Sequence, residues 1–240
     1  METIILNRMQ NTYSKGGLIL DISGQKLQET GRDILRDKSR HRNHGMCINE
    51  TNIIQTKEGT PALSLNEVND YIDCGEDTSL KPTKVVTMEF WVNLSSYSNE
   101  TINRCVGFVN QGGYSLWQWA NNGVPACWTG ELNKIGNTRR HLDFGIAVIP
   151  LNTYTHIVFI FDAENGKITF YKNGAFFYEQ GILTDDIVYS GNFFIGDKSK
   201  GIFDEVRVYN RALSAKEVRG NMYTSKRYKY MRGVQKCGVQ

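Results

Sequence analysis

The sequence predicts an all-β protein: a two-sheet antiparallel β-sandwich or jelly roll, closed by a short C-terminal helix. Three observations carry this reading. Alternating apolar and polar runs recur along the 240 residues, turn residues separate them at regular spacing, and nothing between them has helical periodicity. With 40% hydrophobic and 22% charged residues the chain has the composition of an ordinary globular core. An all-β domain can reach this length without splitting, and no Pro-, Gly- or Ser-rich linker interrupts it. The expected organisation is an N-terminal arm over 1–16, one sandwich over 17–222 and a basic, Tyr-bearing tail over 223–240.

Taken in order, Gly17-Leu-Ile-Leu-Asp21 is the first strand. Leu27–Arg42 is mixed and charged, and Asp37-Lys-Ser-Arg-His-Arg-Asn-His-Gly45 has loop composition. Pro61–Asn66 alternates, and Asn69–Gly75 gives a turn and a short strand. Lys84–Leu94 is an amphipathic strand, with Val86, Met88, Phe90, Val92 and Leu94 on one face. Cys105–Val109 and Tyr114–Trp119 flank Gln111-Gly-Gly113 as a hairpin. Asn121–Thr138 is a loop-rich insert containing Trp128, and Arg139–Ile149 is the strand beyond it. Thr155–Asp162 and Lys167–Lys172 form a hairpin around Ala163-Glu-Asn-Gly166. Asn173-Gly174 then supplies the positive φ of a type I′ turn before Ala175–Glu179. Asn192–Gly196 precedes the last strand.

That last strand begins the stretch Gly201–Leu213. Strict alternation places Ile202, Asp204, Val206 and Val208 on one face and Phe203, Glu205, Arg207 and Tyr209 on the other. Asp204 among aliphatics needs a partner, because an unpaired buried carboxylate is very costly. Ser214-Ala-Lys-Glu217 is a capping box that starts the closing helix.

Charge and cysteine usage narrow the function classes. A net charge of +3 does not by itself imply nucleic acid. The opening Met-Glu-Thr-Ile-Ile-Leu-Asn-Arg has a three-residue apolar run and an early acid, so no signal peptide is expected, and no stretch is long enough to span a membrane. Five cysteines (Cys47, Cys74, Cys105, Cys127 and Cys237) form no CxxC or zinc spacing and read as reduced structural thiols. On the same reasoning the sequons at Asn49, Asn93 and Asn99 carry no glycan.

Several of these segments, in order, resemble laminin-G-like, concanavalin-A-like jelly-roll domains. Gly17-Leu-Ile-Leu followed by Asp37–Gly45 is similar to the family's opening. Ala62–Gly75, Thr87-Met-Glu-Phe-Trp-Val92, and Tyr154-Thr-His156 through Tyr171-Lys-Asn-Gly174 resemble its later strands. Phe203-Asp-Glu-Val-Arg-Val-Tyr-Asn-Arg-Ala-Leu-Ser214 is the nearest match. The resemblance covers 17–222 and implies the fold; the sandwich itself serves lectins, glycosidases, adhesion modules and virion proteins. Two departures stand out. Asn66-Glu67 replaces an Asp-Gly turn, and Arg40 and Arg42 replace the first glycines of the early loop.

The resemblance implies a Ca²⁺ site, which falls on Asp37, Asn43, Asp204 and Glu205. The alternative is that Asp204 bonds backbone amides of the early loop while Arg40 or Arg42 supplies the countercharge. For glycan binding, the densest aromatic and amide cluster is Tyr114, Trp117, Trp119 and Trp128 with Gln118, Asn121, Asn122 and Glu131. The alternative there is that the strand tryptophans belong to the core, which leaves Trp128 as the contact residue. Catalysis is not expected: the Glu-x-Asp-x-x-Glu strand of sandwich glycosidases is absent, because no Glu is followed two residues later by Asp. His156 occupies the family's structural strand position. In the tail, Lys226, Arg227, Lys229, Arg232 and Lys236 interleave with Tyr223, Tyr228 and Tyr230, a pattern suited to docking an acidic protein surface.

The resulting expectation is a non-catalytic recognition or adhesion module. It would bind a glycan or protein on the surface of a phage or viral particle and reach the exterior by lysis. The alternatives are a purely structural virion or assembly subunit, a homo-oligomer included, or a cytoplasmic protein.

Overall fold

The computed structural model describes residues 15–27, 33–49, 51–56, 59–66, 68–97, 102–108, 113–121, 124–132, 140–143, 149–181, 185–225 and 228. Its strands are β1 (Leu18–Ile22), β2 (Ile34–Leu35), β3 (Gly45–Ile48), β4 (Asn52–Gln55), β5 (Pro61–Asn66), β6 (Tyr71–Asp73), β7 (Val85–Leu94) and β8 (Ile102–Phe108). They continue as β9 (Tyr114–Asn121), β10 (Val124–Leu132), β11 (Arg140–Asp143), β12 (Thr155–Asp162), β13 (Lys167–Lys172), β14 (Ala175–Gly181), β15 (Phe193–Ile195) and β16 (Lys200–Tyr209). One helix, α1 (Ala215–Thr224), follows, and its capping box joins Ser214 and Glu217 as predicted.

The strands make two antiparallel sheets. The first runs β14-β13-β12-β7-β16-β5-β4 with β1 also on β16, and the second runs β11-β10-β9-β8-β15-β6-β3-β2. Phe90, Phe159, Phe161, Phe170 and Phe203 of the first sheet meet Tyr114, Leu116, Phe193 and Ile195 of the second in a single apolar layer. Each buried aromatic or aliphatic side chain there contributes about 1.5–3 kcal/mol through burial. The all-β sandwich expected from alternation is what forms.

The first sheet is covered on its other face as well. Leu18, Val158, Ile160, Tyr171 and Tyr209 pack with Leu213 and Val218 into a smaller apolar cluster under α1. All eight residues of β12 are therefore buried. β14, at the sheet's end, is the opposite: all seven of its residues are exposed.

Two local readings are corrected and a third is met where the structure describes it. β16 carries a register shift between Asp204 and Arg207, with Glu205 in the left-handed region at φ 49°. This bulge consumes a residue, so Phe203, Val206 and Val208 share the core face, while Asp204 pairs with Trp91 and Arg207 with Glu89 on the α1 side. The bulge falls where β16 exchanges one edge partner for another: residues 200–203 pair with β5 and 206–209 with β1. Second, the supposed loop after Asn121 contains β10, paired residue by residue with β9. Third, of the strand expected over 139–149, Arg140–Asp143 is strand, and 144–148 lie outside the described residues.

Candidate functional site

The early loop turns its side chains in and out with a period of two. Arg36, Lys38, Arg40 and Arg42 are exposed, whereas Asp37, Ser39 and Asn43 are buried. Asp37 holds the loop from inside. Its Oδ1 accepts from the amides of Asp21 and Ser39, both at 2.8 Å, and its Oδ2 accepts from Ser39 Oγ at 2.6 Å and the Asn43 amide at 2.7 Å. Asn43 Nδ2 continues the network to Ile19 O and Ser79 Oγ, both at 2.9 Å. With its inner residues fixed to β1, the loop's outer residues all project to the same side. Arg42 does so from a left-handed backbone at φ 58°, a conformation that costs a residue bearing Cβ on the order of 1–2 kcal/mol. It stands where the family resemblance leads one to expect glycine.

These cations line a cavity of about 1140 Å³, which Lys26 and His44 also border. Gln25 and Gln55 add amides, and Ile53 and Pro61 add apolar surface. Lys26 is tied to Asp33 at 2.5 Å. No carboxylate pairs with Arg36, Lys38, Arg40 or Arg42 among the described residues; Lys38 donates to Ser23 Oγ, and Arg40 Nε to His41 Nε2 at 3.4 Å. Asp37, the only acid on the cavity wall among the described residues, is saturated from within. Like charges so placed repel one another, and the chain's overall charge of +3 does not require their clustering.

The geometry engages the oxygens on which the Ca²⁺ expectation rests. Ca²⁺ takes six to eight oxygens with free lone pairs, and the Asp37 carboxylate already accepts four hydrogen bonds, its full complement. Asp204 Oδ1 accepts from the Glu205 amide at 2.8 Å inside the bulge. Glu205 Oε2 takes Arg207 Nη2 at 2.6 Å. Among the described residues no group of three His, Cys, Asp or Glu could hold a metal. The alternative is also revised. Asp37 rather than Asp204 receives the early-loop amides, and the arginine that meets the last strand's acid is Arg207, not Arg40 or Arg42.

The aromatic cluster is dispersed by the fold. Tyr114 is fully enclosed, with its hydroxyl donating to Leu80 O at 3.0 Å and its ring against Phe161, Phe193 and Tyr189. Burial pushes its phenol well above the usual range. Trp117 is also buried. A ring without exposed face offers a sugar nothing to stack on, so both leave the glycan set. Trp119 lies opposite Cys127, and Trp128 opposite Gln118, in the β9–β10 ladder. Trp128 is thus a strand residue, out of phase with Trp117. Asn121 ends β9, and Asn122 lies outside the described residues.

A second polar cluster, unforeseen from sequence, sits under α1. Glu89 Oε1 is 2.9 Å from His156 Nε2, and Glu89 Oε2 accepts from Tyr209 Oη at 3.0 Å and Asn221 Nδ2 at 2.8 Å. Arg207 approaches Glu89 at 3.8 Å and Asp21 at 3.7 Å. Burial alone would raise the Glu89 carboxyl, but the His156 hydrogen bond, Arg207 and Asn221 hold it below its ordinary value. Burial opposes the charge of Arg207, and Glu205, Glu89 and Asp21 more than offset it, lifting the guanidinium well above its usual range. No part of this cluster is open to solvent, so it is a structural core rather than a site.

In the tail, Tyr228 is half-buried, its amide bonded to Ser225 Oγ at 3.0 Å and its ring 4.8 Å from that of Tyr223. Lys226, Arg227, Lys229, Tyr230 and Arg232 lie outside the described residues, as does the arm over 1–14. The cavity's cations Arg36 and Lys38 were missed, although a basic residue at every second position from 36 to 42 is visible in the sequence.

Comparison with known proteins agrees with this architecture. The concanavalin A-like lectin/glucanases superfamily, in its Laminin_G_3 branch, matches residues 66–219. The chain belongs to that superfamily. No curated protein matches it in sequence. Among solved structures it is similar to the binding domain of Paraclostridial Mosquitocidal Protein 1, with TM-score 0.68 and 14% identity over 87% of this chain and 52% of that one. It is likewise similar to the binding domain of Botulinum Neurotoxin DC in complex with SialylT (0.65, 13%, 89% and 52%). The same binding domain in complex with rat synaptotagmin II gives 0.66 and 12% over 88% and 52%. At such identities the likeness concerns the fold. The chain spans about half the length of these structures. No helix among the described residues is long and apolar enough to cross a membrane.

Proposed function

We propose that this superfamily member is a non-catalytic recognition module that holds a glycan in the cavity between the early loop and β4–β5. The observation that carries the reading is the composition of that cavity. It is roomy, polar and concave, yet the one carboxylate on its wall among the described residues is buried and fully hydrogen-bonded. Glycoside hydrolysis needs two carboxylates flanking the scissile bond, and this wall offers none in working form. Binding without cleavage is what remains. The neighbours support it, since they are binding domains seen with SialylT and with synaptotagmin II. The test is a glycan array run beside a reducing-end release assay. Retention without release is expected, with Gln55→Trp, which crowds the β4 wall of the cavity, weakening retention. Silence across the array, or release of reducing ends, overturns the reading.

A second reading, an assembly subunit of a larger particle such as a virion, is favoured by β14. This exposed edge strand presents Phe176 and Phe177, 61% and 45% exposed, beside Tyr178, and unpaired strand edges invite pairing with other chains. Sedimentation of the full chain against Phe176→Ser/Phe177→Ser discriminates: assembly lost in the variant supports it, and a monomer at all concentrations removes it.

A further inference from the structure

We infer that the cavity's ligand is an anionic glycan, one whose sulfate or carboxylate groups are met by Arg36, Lys38, Arg40 and Arg42. The inference rests on the glycan reading above and adds the chemical class. Its first support is charge. Four exposed cations from one seven-residue segment share a cavity wall, and none has a carboxylate partner among the described residues. Lys26, further along the same wall, does have one. Single exposed cations elsewhere, such as Lys200, Lys216 and Arg219, also have no carboxylate partner among the described residues. The loop differs in setting four of them together on one concave wall, where a ligand can supply the counterions. Three of the four are arginines, whose planar forks accept sulfate or carboxylate oxygens in bidentate fashion.

Arg42 is the second support. Its left-handed φ of 58° is the conformation a glycine adopts without strain. The loop keeps a long cation there, and the strain holds it at the cavity wall. Strained residues of this kind concentrate at ligand-binding positions.

The rest of the lining chooses among anions. Gln25 and Gln55 supply amide donors and acceptors for hydroxyls, and Ile53 and Pro61 supply apolar surface for a sugar ring. No Phe, Tyr or Trp lines the cavity among the described residues, so these supply none of the stacking platforms on which single-stranded nucleic acids depend. A glycan is the anionic polymer that this wall fits.

The experiment is calorimetric titration of the full chain with four probes: a heparin-derived hexasaccharide, its desulfated, uronate-bearing form, a neutral hexasaccharide, and a 20-mer of oligo-dT. The expected result is that one or both anionic sugars bind at least tenfold more tightly than the neutral one, with affinity falling steeply as salt rises. Arg40→Gln and Arg42→Gln, both at exposed side chains, should each weaken that binding at least fivefold with unchanged melting. Lys226→Gln/Arg227→Gln in the tail should leave it intact. Equal binding of the neutral sugar overturns the inference while leaving glycan recognition standing. Binding to no sugar overturns both. Tighter binding of oligo-dT, or loss confined to the tail variant, overturns the assignment of this cavity to an anionic glycan.

Discussion

Glu89 and His156 face each other across β7 and β12 at 2.9 Å, with both side chains wholly enclosed. The register that pairs His156 with Trp91 and Val158 with Glu89 brings them together, and α1 seals them by delivering Asn221. A carboxylate only accepts, so His156 Nε2 is the donor of this hydrogen bond. Its Nδ1 is buried with no hydrogen-bond partner among the described residues.

Removing one member of this cluster leaves the others buried and uncompensated. Glu89→Ala should destabilise the fold by about 3–5 kcal/mol, read by urea denaturation. A loss under about 1 kcal/mol would show that the cluster is not held together by this carboxylate.

The same carboxylate sets a pH dependence. Its folded value lies below the ordinary 4.5, so it adds stability that is fully present above about pH 4.5 and is lost as pH falls through the folded value. Acid titration of the folding free energy should therefore be steeper below pH 4.5 in the wild type than in Glu89→Gln. Identical slopes would contradict the assignment.

Asp37 anchors the early loop with four accepted hydrogen bonds. Asp37→Asn keeps the shape but turns an amide donor toward N–H donors, and should cost about 2–4 kcal/mol. Hydrogen exchange of the Asn43 amide should accelerate with it. Because these oxygens are taken, millimolar Ca²⁺ should leave the melting temperature unchanged. A rise that grows with Ca²⁺ concentration, the signature of binding to the native state, would restore the metal site.

Arg42 gives a prediction of opposite sign. Arg42→Gly should raise stability by about 1 kcal/mol by releasing left-handed strain. Arg40→Gly, at a position without positive φ, should lower it by about 0.4–1 kcal/mol through added freedom of the unfolded chain. Parallel thermal melts decide this, and a destabilised Arg42→Gly would mean that the arginine's contacts outweigh its backbone strain.

Thiol chemistry offers a further check. Burial, with Asp33 adding to it, pushes Cys47 from 9.0 up to about 11, and burial drives Cys74 well above 9.0. Only the thiolate reacts, so at pH 8 Cys47 should alkylate roughly a hundredfold more slowly in the native protein than after unfolding, and Cys74 should be slowed in the same direction. Peptide-resolved labelling measures it, and rapid native modification of Cys74 would place that residue nearer the surface.

How much of this could be read beforehand differs from residue to residue. β7, β12 and β13 were plain, because alternation there continues unbroken and Asn173-Gly174 punctuates it. The cap at Ser214 was equally plain from four residues. β16 is half legible: its apolar content and the facing of Arg207 follow from alternation, but parity cannot register an inserted residue, and the bulge at Glu205 moves Asp204 to the side of Arg207. β10 was read as loop because Pro125 and Gly130 have turn composition, which pairing with β9 overrode. Tyr114 and Trp117 show the limit for sites, since aromatic density marks a core as readily as a binding face. The basic comb from Arg36 to Arg42 was present in the letters. Only the buried anchors Asp37 and Asn43 revealed that its alternation is structural.

Asn221 completes a carboxylate's coordination 132 residues before it in the chain, and β1 joins the same sheet through residues 206–209. A polypeptide emerging from a ribosome must therefore present β7 and β12 with Glu89 and His156 still wet. Native packing on that face waits until the helix after Ser214 has cleared the exit tunnel. Long-range closure of this kind slows folding relative to local pairing. The closing helix thus works as a completeness test: a chain released before residue 221 carries a hydrated acid cluster where a finished one has a sealed core, and quality control can tell the two apart.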